Sequence, residues 1–272
     1  NCLSNVVVKM NILYNVFFII LSFILIVRGA QLFLINFCVL FSKSYTYELG
    51  GSKAPEEYGK FHASIQNLTG HHVCGGAVVS QWFVVTAAHC VHGPRYMNIV
   101  AGTNNLDVGG KRCNVASITV YDRYNATSRE HDIALIKTKT PFDLRLIQIL
   151  GLRRHKLKEG DDVVLVGFGA QEPHGSSTRN MYSLELPVFN QAICEYAMRK
   201  SLVTREMFCT FTKIGEGTCH GDSGSPIIKD NDLVGVVSWG IPCAVGFPDV
   251  HTRIAPYIEW IRRHIRQGYC PA

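Results

Sequence analysis

The chain has 272 residues, of which 47% are hydrophobic, and it carries a formal net charge of +6. This length and composition exclude a disordered or low-complexity protein and allow one or two buried cores. The basic residues are scattered, apart from Arg262, Arg263 and Arg266 near the end of the chain, and no nucleic-acid-binding motif is present. We therefore expect no nucleic-acid partner.

The N-terminal region is strongly apolar. Residues 16–27 form an apolar run that follows Met10 and precedes the small residues Gly29 and Ala30. This is the pattern of a secretory signal peptide, and it predicts an extracellular protein. A second apolar run, residues 32–41, leaves a membrane anchor as an alternative, but polar residues interrupt the combined stretch, which favours the signal peptide.

Short apolar or alternating segments separated by turns follow from residue 50 onward, and they predict β-barrels. The predicted strands are 61–66, 74–79, 83–88, 97–102 and 133–138, then 163–167, 183–188, 226–229, 233–238 and 250–254. A C-terminal helix is predicted by apolar residues that recur at intervals of three and four: Ile254, Tyr257, Ile258, Ile261 and Ile265.

The segment Gly215–Pro226 carries a candidate nucleophile, Ser223, among glycines and next to Asp222. Glycines allow backbone N–H groups to approach a reacting carbonyl closely. We predict that Ser223 is a nucleophile and that the N–H groups of Gly221 and Ser223 form an oxyanion hole. By itself this segment could also be an ordinary Gly/Ser turn.

Two distant segments supply the partners that a nucleophilic serine needs. An apolar segment ends at His89, a candidate general base, and Asp132 precedes the apolar segment Ile133–Ile136. A serine nucleophile requires a histidine base, and the histidine requires a carboxylate that fixes its tautomer. The order His89, Asp132, Ser223, together with the flanking residues, resembles the chymotrypsin/trypsin family of serine peptidases over residues 49–266.

The resemblance implies the fold and the domain organisation. The expected fold is all-β, with two packed six-stranded antiparallel Greek-key barrels and a C-terminal helix. Residues 1–47 would be a signal peptide with a propeptide or a mis-assembled leader. Residues 48–150 would form the barrel carrying His89 and Asp132, and residues 151–272 the barrel carrying Ser223.

The resemblance also implies the substrate-binding residues. Ser238, Trp239 and Gly240 resemble the segment that pairs with an extended polypeptide substrate. Gly217 would form the base of the P1 pocket beside Thr218, and Gly240 would leave the pocket mouth open. An uncharged, deep pocket predicts cleavage after large apolar or aromatic residues.

Asp249 complicates this interpretation, because it occupies a position where the family usually has a glycine in the pocket wall. Either it binds a basic side chain, which adds secondary acceptance of Lys or Arg, or it is hydrogen-bonded to Thr218 and has no effect on specificity. The combination of Gly217 with Asp249 resembles insect chymotrypsin-like enzymes.

Six of the ten cysteines fit disulfides that the resemblance implies: Cys74–Cys90, Cys194–Cys209 and Cys219–Cys243. Cys113 with Cys270 is the preferred additional pair, and Cys38 with Cys113 is the alternative. We expect no metal and no other cofactor, because Asp107 is the lone acid where calcium-binding family members have several carboxylates.

The activation segment departs from the family pattern. The resemblance implies a zymogen whose new N-terminus, usually Ile-Val-Gly-Gly, pairs with Asp222. Here the corresponding segment is Glu48-Leu49-Gly50-Gly51, preceded by Tyr47 rather than Lys or Arg. Three explanations remain open: a mis-joined stretch near residues 31–48, which we favour, an unusual activating protease, or a protein that is never activated.

The predicted function is that of a secreted, monomeric serine endopeptidase that hydrolyses polypeptides through an acyl-enzyme and meets protein protease inhibitors. The alternative is a catalytically silent homologue that acts as a binding or regulatory module. Only the altered activation segment supports this alternative, and the complete set of catalytic residues argues against it.

Overall fold

The computed structural model describes residues 50–93 and 96–268. The apolar runs at 16–27 and 32–41, the activation segment at 47–49, Cys2, Cys38 and Cys270 lie outside these residues. The strands are β1 (Ser52–Lys53), β2 (Ala63–Gln66), β3 (His72–Cys74), β4 (Ala77–Val78), β5 (Phe83–Thr86), β6 (Asn98–Ala101), β7 (Lys111–Val120), β8 (Ala134–Thr138), β9 (Asp162–Gly167), β10 (Tyr182–Pro187), β11 (Met207–Thr210), β12 (Pro226–Lys229), β13 (Asp232–Trp239) and β14 (Asp249–Arg253).

The helices are few and mostly short. They are α1 (Glu56–Gly59), α2 (Ala88–Val91), α3 (Gln191–Ala197), a 3-10 turn (Ala255–Tyr257) and α4 (Ile258–Gly268). Helix α3 begins after Asn190, whose side-chain oxygen accepts a hydrogen bond from the N–H of Ile193 and so caps the helix. Within the described part of the chain, no helix is both long and apolar enough to cross a membrane.

The strands form two antiparallel sheets, which confirms the predicted fold class. The first sheet has the order β3-β2-β6-β7-β8-β5-β4, and the second has the order β1-β10-β9-β12-β13-β14-β11. Each sheet contains seven strands instead of the expected six. Strand β1 precedes the first sheet in sequence but belongs to the second, because it pairs with β10.

The longest strand, β7, was not predicted. Only Cys113 of its ten residues is buried, so the strand has no apolar alternation that the sequence could reveal. Its backbone nevertheless pairs with β6 and β8 on either side. Neighbouring strands therefore define β7 more than its own side chains do.

Separate apolar cores fill the molecule. Ile65, Val84 and Ile99 belong to a core of the first sheet, and Leu165 and Ile227 belong to a core of the second. A further core contains residues of both sheets together with residues of the 3-10 turn and α4, among them Phe61, Val166, Phe168, Tyr257 and Ile261. The C-terminal helix is thus present, and its predicted apolar face is buried at Ile258 and Ile261.

The structure confirms the predicted pairing of six cysteines and contradicts the predicted pairing of Cys113. The disulfides Cys74–Cys90, Cys194–Cys209 and Cys219–Cys243 are all formed. Cys113 is a free, buried thiol, so its expected pairing with Cys270 or Cys38 is wrong for this structure. The side chain of Cys113 packs in the core of the first sheet, where it serves as a small apolar residue.

Candidate active site

His89 and Asp132 are brought together by the pairing of β5 with β8. His89 lies in the helical turn α2 just after β5, and Asp132 lies just before β8. The register that pairs Thr86 with Ala134 places these two strand ends side by side. The imidazole Nδ1 of His89 lies 2.7 Å from Asp132 Oδ2, and its backbone N–H donates to Asp132 Oδ1 over 2.8 Å. The Asp132 side chain is therefore fixed on both oxygens.

Ser238 has a role that the sequence did not reveal. It was predicted to bind substrate, but its buried hydroxyl donates to Asp132 Oδ2 over 2.6 Å. The hydroxyl of Thr252 also donates to the backbone carbonyl of Asp132, over 2.9 Å. The second sheet therefore holds the carboxylate that the first sheet supplies. Sequence separations of 106 and 120 residues explain why no local pattern predicted these contacts.

Ser223 lines the same cavity as His89, and this cavity has a volume of about 260 Å³. No hydrogen bond joins the Ser223 hydroxyl to His89 within the described residues, which is common before a substrate compresses the site. The Ser223 carbonyl accepts a bond of 2.8 Å from the N–H of Gly75, a residue of the first half of the chain. The backbone of Ser223 is thus anchored to the half of the chain that carries His89.

Two backbone N–H groups beside the nucleophile are free to bind an oxyanion. In the described part of the chain, the N–H groups of Gly221 and Ser223 donate to no protein acceptor, whereas their neighbour Asp222 donates to Cys219 and Gly224 donates to Val237. Gly221 has φ of +98°, a conformation that favours glycine. The two predicted oxyanion-hole donors therefore have no competing acceptor among the described residues.

Asp222 is buried directly behind the nucleophile. Its carboxylate accepts the N–H groups of Gly169 and Cys219, each over 3.0 Å. Burial raises the pKa of Asp222 to about 6, although these two hydrogen bonds lower it in part. Asp222 also lines a small cavity together with Gly50, the first described residue. An ammonium group in that cavity would stabilise the charged carboxylate.

A buried histidine pair, His62 and His72, contacts the segment that carries Ser223, and the sequence did not predict this pair. His72 lies 2.8 Å from Ser64 Oγ through Nδ1 and 2.9 Å from the Gly221 carbonyl through Nε2. His62 lies 3.4 Å from the hydroxyl of Ser225. Burial lowers the pKa of His62 to about 3 and that of His72 to about 4. Both imidazoles are therefore neutral and act as structural supports.

Ser225, two residues after Ser223, is accommodated by its surroundings. It is fully buried, and its N–H donates to the carbonyl of Asp222 over 2.9 Å. Gly75 lies against the Ser225 side chain and leaves no room for a side chain of its own.

The predicted pocket residues surround Asp249. Its carboxylate accepts the backbone N–H and the hydroxyl of Thr218, each over 2.7 Å. A β-carbon on Gly217 would lie 2.5 Å from Asp249 Oδ2, and one on Gly240 would lie 3.1 Å from Oδ1. Burial raises the pKa of Asp249 to about 7, the Thr218 bonds lower it, and the charge of Asp222 raises it slightly. The carboxylate therefore lies directly behind the glycines.

The cavity wall contains most of the other predicted residues. Thr218, Ser238, Trp239 and Gly240 line the cavity that also contains His89 and Ser223, and so does the exposed His220. Gly217 instead lines the small cavity beside Asp222. Asp249 does not line the larger cavity either, so two of the six predicted substrate-binding residues lie outside its wall. The sequence did not predict Arg129, Val237 or Pro242, which also line it.

One cluster of potential metal ligands occurs among the described residues, at Cys74, His89 and Cys90. The two sulfur atoms are already bonded to each other, so neither is a thiolate that could bind a metal ion. The cluster is therefore the disulfide beside the candidate base.

Comparisons with known proteins concern the family and the fold of the chain. The trypsin family model matches residues 48–261, which is more than half of the chain. Chymotrypsin-2 of Vespa crabro is 34% identical over 220 residues, covering 79% of this chain and 99% of that protein. A trypsin of Phaedon cochleariae is 31% identical over 201 residues, covering 70% and 78% of the two chains.

A solved structure shows the same relationship. Neuropsin, a serine protease expressed in the limbic system of mouse brain, superposes with a TM-score of 0.74 at 27% identity. The match covers 79% of this chain and 98% of neuropsin. The sequence of residues 48–261 and the fold of the described residues thus both agree with those of known serine proteases.

Proposed function

Because the chain belongs to the trypsin family of serine endopeptidases, we propose that Ser223 is its nucleophile, His89 its general base and Asp132 the residue that orients His89. The observation that carries this proposal is the Asp132 carboxylate, which contacts the His89 imidazole at 2.7 Å and receives the Ser238 hydroxyl at 2.6 Å. These contacts fix the His89 tautomer, with Nδ1 protonated and Nε2 free to accept a proton.

The reaction begins when Ser223 Oγ attacks the scissile carbonyl and its proton moves to His89 Nε2. The C=O double bond becomes a single bond, and the N–H groups of Gly221 and Ser223 stabilise the oxyanion. His89 then protonates the leaving amine, and the C–N bond breaks to give an acyl-enzyme. Water, deprotonated by His89, hydrolyses the ester and regenerates the Ser223 hydroxyl.

The proposed substrate is an extended polypeptide that pairs with the backbone of Ser238, Trp239 and Gly240. The proposed P1 preference is for large apolar or aromatic residues, with secondary acceptance of Lys or Arg. The uncharged Gly217 and Gly240 support the first part. Asp249, which contacts both glycine positions, supports the second.

Activation is proposed to follow secretion and to depend on Asp222. A cut after Tyr47 would release a terminus two residues before Gly50, and Gly50 lines the small cavity beside the Asp222 carboxylate. The terminal ammonium group would pair with Asp222 and lower its pKa. The three disulfides fit the oxidising extracellular compartment that the signal-like N-terminal region predicts.

The proposal is tested on the secreted full-length protein, treated with proteases of different specificity and then with a serine-directed fluorophosphonate. We expect labelling of the protein but not of a Ser223→Ala variant, and N-terminal sequencing of the labelled form gives the mature start. A library of peptides that vary at P1 then measures kcat/KM for each side chain. Failure of labelling after every treatment would favour the silent homologue instead.

A further inference from the structure

A basic groove lies outside the proposed active site. It is a cavity of about 420 Å³, and its lining includes five basic residues: Arg154, His155, Lys156, Arg205 and Arg253. These residues come from three parts of the sequence, namely the connection before β9, the turn before β11 and the end of β14. The scattered basic residues of the sequence are thus collected here by the fold.

The register of β11 and β14 brings two of the arginines together. Met207 pairs with Thr252, and the N–H of Arg253 donates to the carbonyl of Glu206 over 2.8 Å. The residues that flank these pairs in sequence, Arg205 and Arg253, therefore lie at the same end of the sheet. At about 3.3 Å per residue, Arg253 is about 13 Å along β14 from Asp249. A ligand in the groove would leave the active-site cavity open.

Arg253 is held in place without an acidic partner. Its guanidinium donates to the carbonyl of Met207 over 3.2 Å and lies 5.2 Å from the centre of the Phe208 ring. Partial burial lowers its pKa, and no carboxylate contributes to the shift. A half-buried, preorganised guanidinium with unused N–H donors is suited to bind an anion.

The charges around the groove leave three cations available. Acidic side chains lie close to the other basic residues: Asp232 lies 2.8 Å from His155 and 3.7 Å from Arg153, and Glu259 lies 3.7 Å from Arg154. Lys156, Arg205 and Arg253 form no ion pair with any residue that the structure describes.

We propose that the basic groove binds a sulfated sugar chain. A sulfate ester has three terminal oxygens and stays ionised at every physiological pH, so one sulfate can contact several of the available cations. Among the described residues that line the groove there is no Phe, Tyr or Trp, which disfavours single-stranded nucleic acid because its bases stack best on such rings. Gln191 also lines the groove and uses its amide N–H groups on Glu195 and Thr204, which leaves its oxygen to accept a sugar hydroxyl.

The test measures binding of a heparin hexasaccharide to the activated full-length protein carrying Ser223→Ala, which prevents self-digestion. The dissociation constant is determined by calorimetry at several salt concentrations. Because each lost contact to a charged group removes one strong interaction, Lys156→Gln with Arg205→Gln should weaken binding about 30-fold at low salt. The salt dependence should fall by about one unit of slope for each lost contact.

The matched control is Lys60→Gln with Lys139→Gln, which removes the same charge from two exposed lysines without ion pairs in the described structure. We expect it to change the dissociation constant less than about threefold, since long-range charge effects are screened by salt. Arg253→Lys keeps the charge but loses the planar guanidinium, and it should weaken binding about tenfold with an unchanged melting temperature.

Three results would overturn the proposal. The first is that the protein with an unaltered groove does not bind the hexasaccharide. The second is that the control substitutions at Lys60 and Lys139 weaken binding as much as those at Lys156 and Arg205. In the third result, an acidic peptide or a single-stranded oligonucleotide of equal charge binds as tightly and depends on the same residues. All these readouts are independent of peptidase activity, so they do not depend on the proposed catalytic roles.

Discussion

Two buried carboxylates lie behind the cleft, and their surroundings differ. Asp132 receives donors from His89 and Ser238, which come from the two halves of the chain, and it has the imidazole as a partner. Asp249 receives two hydrogen bonds, both from Thr218, and no cation contacts it among the described residues. The charge of Asp132 has a permanent partner, whereas the charge of Asp249 has none.

This difference indicates what each carboxylate can do. A carboxylate that is fixed on both oxygens by a histidine and a serine can orient the histidine through every turnover. A buried carboxylate without a cation is costly to ionise, which is why the pKa of Asp249 rises to about 7. Such a carboxylate can be stabilised by a cation that the substrate brings.

The largest expected effect comes from Asp132→Asn. Asparagine cannot hold the protonated Nδ1 of His89 in the correct tautomer, so kcat should fall about 10,000-fold, the loss typical of this change in triad enzymes. The measurement is kcat on a peptide substrate that the active enzyme cleaves. Asp230→Asn, an exposed acid on the surface, is the control and should leave kcat unchanged. A loss below tenfold would contradict the proposed role of Asp132.

The second prediction tests the negative charge of Asp249 without changing the size of the side chain. Asp249→Asn keeps an oxygen for the N–H of Thr218, and its amide can donate to the Thr218 hydroxyl, so the fold should persist. Removing one partner of a buried charge pair costs about 2 kcal/mol or more, so kcat/KM for Lys or Arg at P1 should fall about 30-fold. Substrates with Phe at P1 should change less than about threefold, because they leave the carboxylate unpaired.

An equal change in kcat/KM for Arg and Phe substrates would contradict a role of Asp249 in P1 specificity. Equal loss would mean that the substitution altered the pocket shape. No change with either substrate would mean that Thr218 alone satisfies the carboxylate.

The preference for Arg over Phe at P1 is expected to depend on pH. Below pH 7 Asp249 is mainly neutral in the free enzyme, and above pH 7 it is mainly ionised, since its pKa is about 7. The ratio of kcat/KM for Arg and Phe substrates should therefore rise about tenfold from about pH 6 to about pH 8. Taking a ratio cancels the ionisation of His89, which affects both substrates. A flat ratio in the wild type, or the same rise in Asp249→Asn, would contradict the prediction.

The Asp249 carboxylate also makes the free energy of unfolding depend on pH. Its pKa in the folded protein, about 7, lies above its ordinary value of 3.8. The stability that Asp249 contributes is therefore fully present below pH 3.8 and is lost as the pH rises through 7. Urea unfolding should accordingly show a larger gain for Asp249→Asn over the wild type at about pH 8 than at about pH 5.

The smallest effect concerns the hydroxyl that supports Asp132. Ser238→Ala removes one of the donors to the carboxylate, and a net loss of about 1 kcal/mol corresponds to about a fivefold fall in kcat. Thr252→Val is a matched control, because its hydroxyl donates to the backbone of Asp132 rather than to the carboxylate. Equal losses of kcat in both variants would indicate that Ser238 acts only on stability.

The sequence predicted well wherever a function depends on a contiguous segment. The segment around Ser223, the apolar strand that ends at His89 and the acid before Ile133 each carry their own context, so family and fold class followed from them. Strand β7 was missed, because its exposed side chains carry no periodic signal. The Cys113 pairing was wrong, because residue identity does not reveal whether a thiol faces a partner or a core.

The amino-acid sequence was sufficient to predict the family, the fold class and the candidate triad, because these depend on local motifs in a fixed order. The three disulfides followed from the resemblance to that family. Tertiary structure alone decided that Ser238 supports Asp132, that Asp249 lies against both pocket glycines, and that Arg205 and Arg253 meet in one groove. These contacts join residues far apart in sequence. Strand register and barrel packing set them, and neither can be read from any one segment.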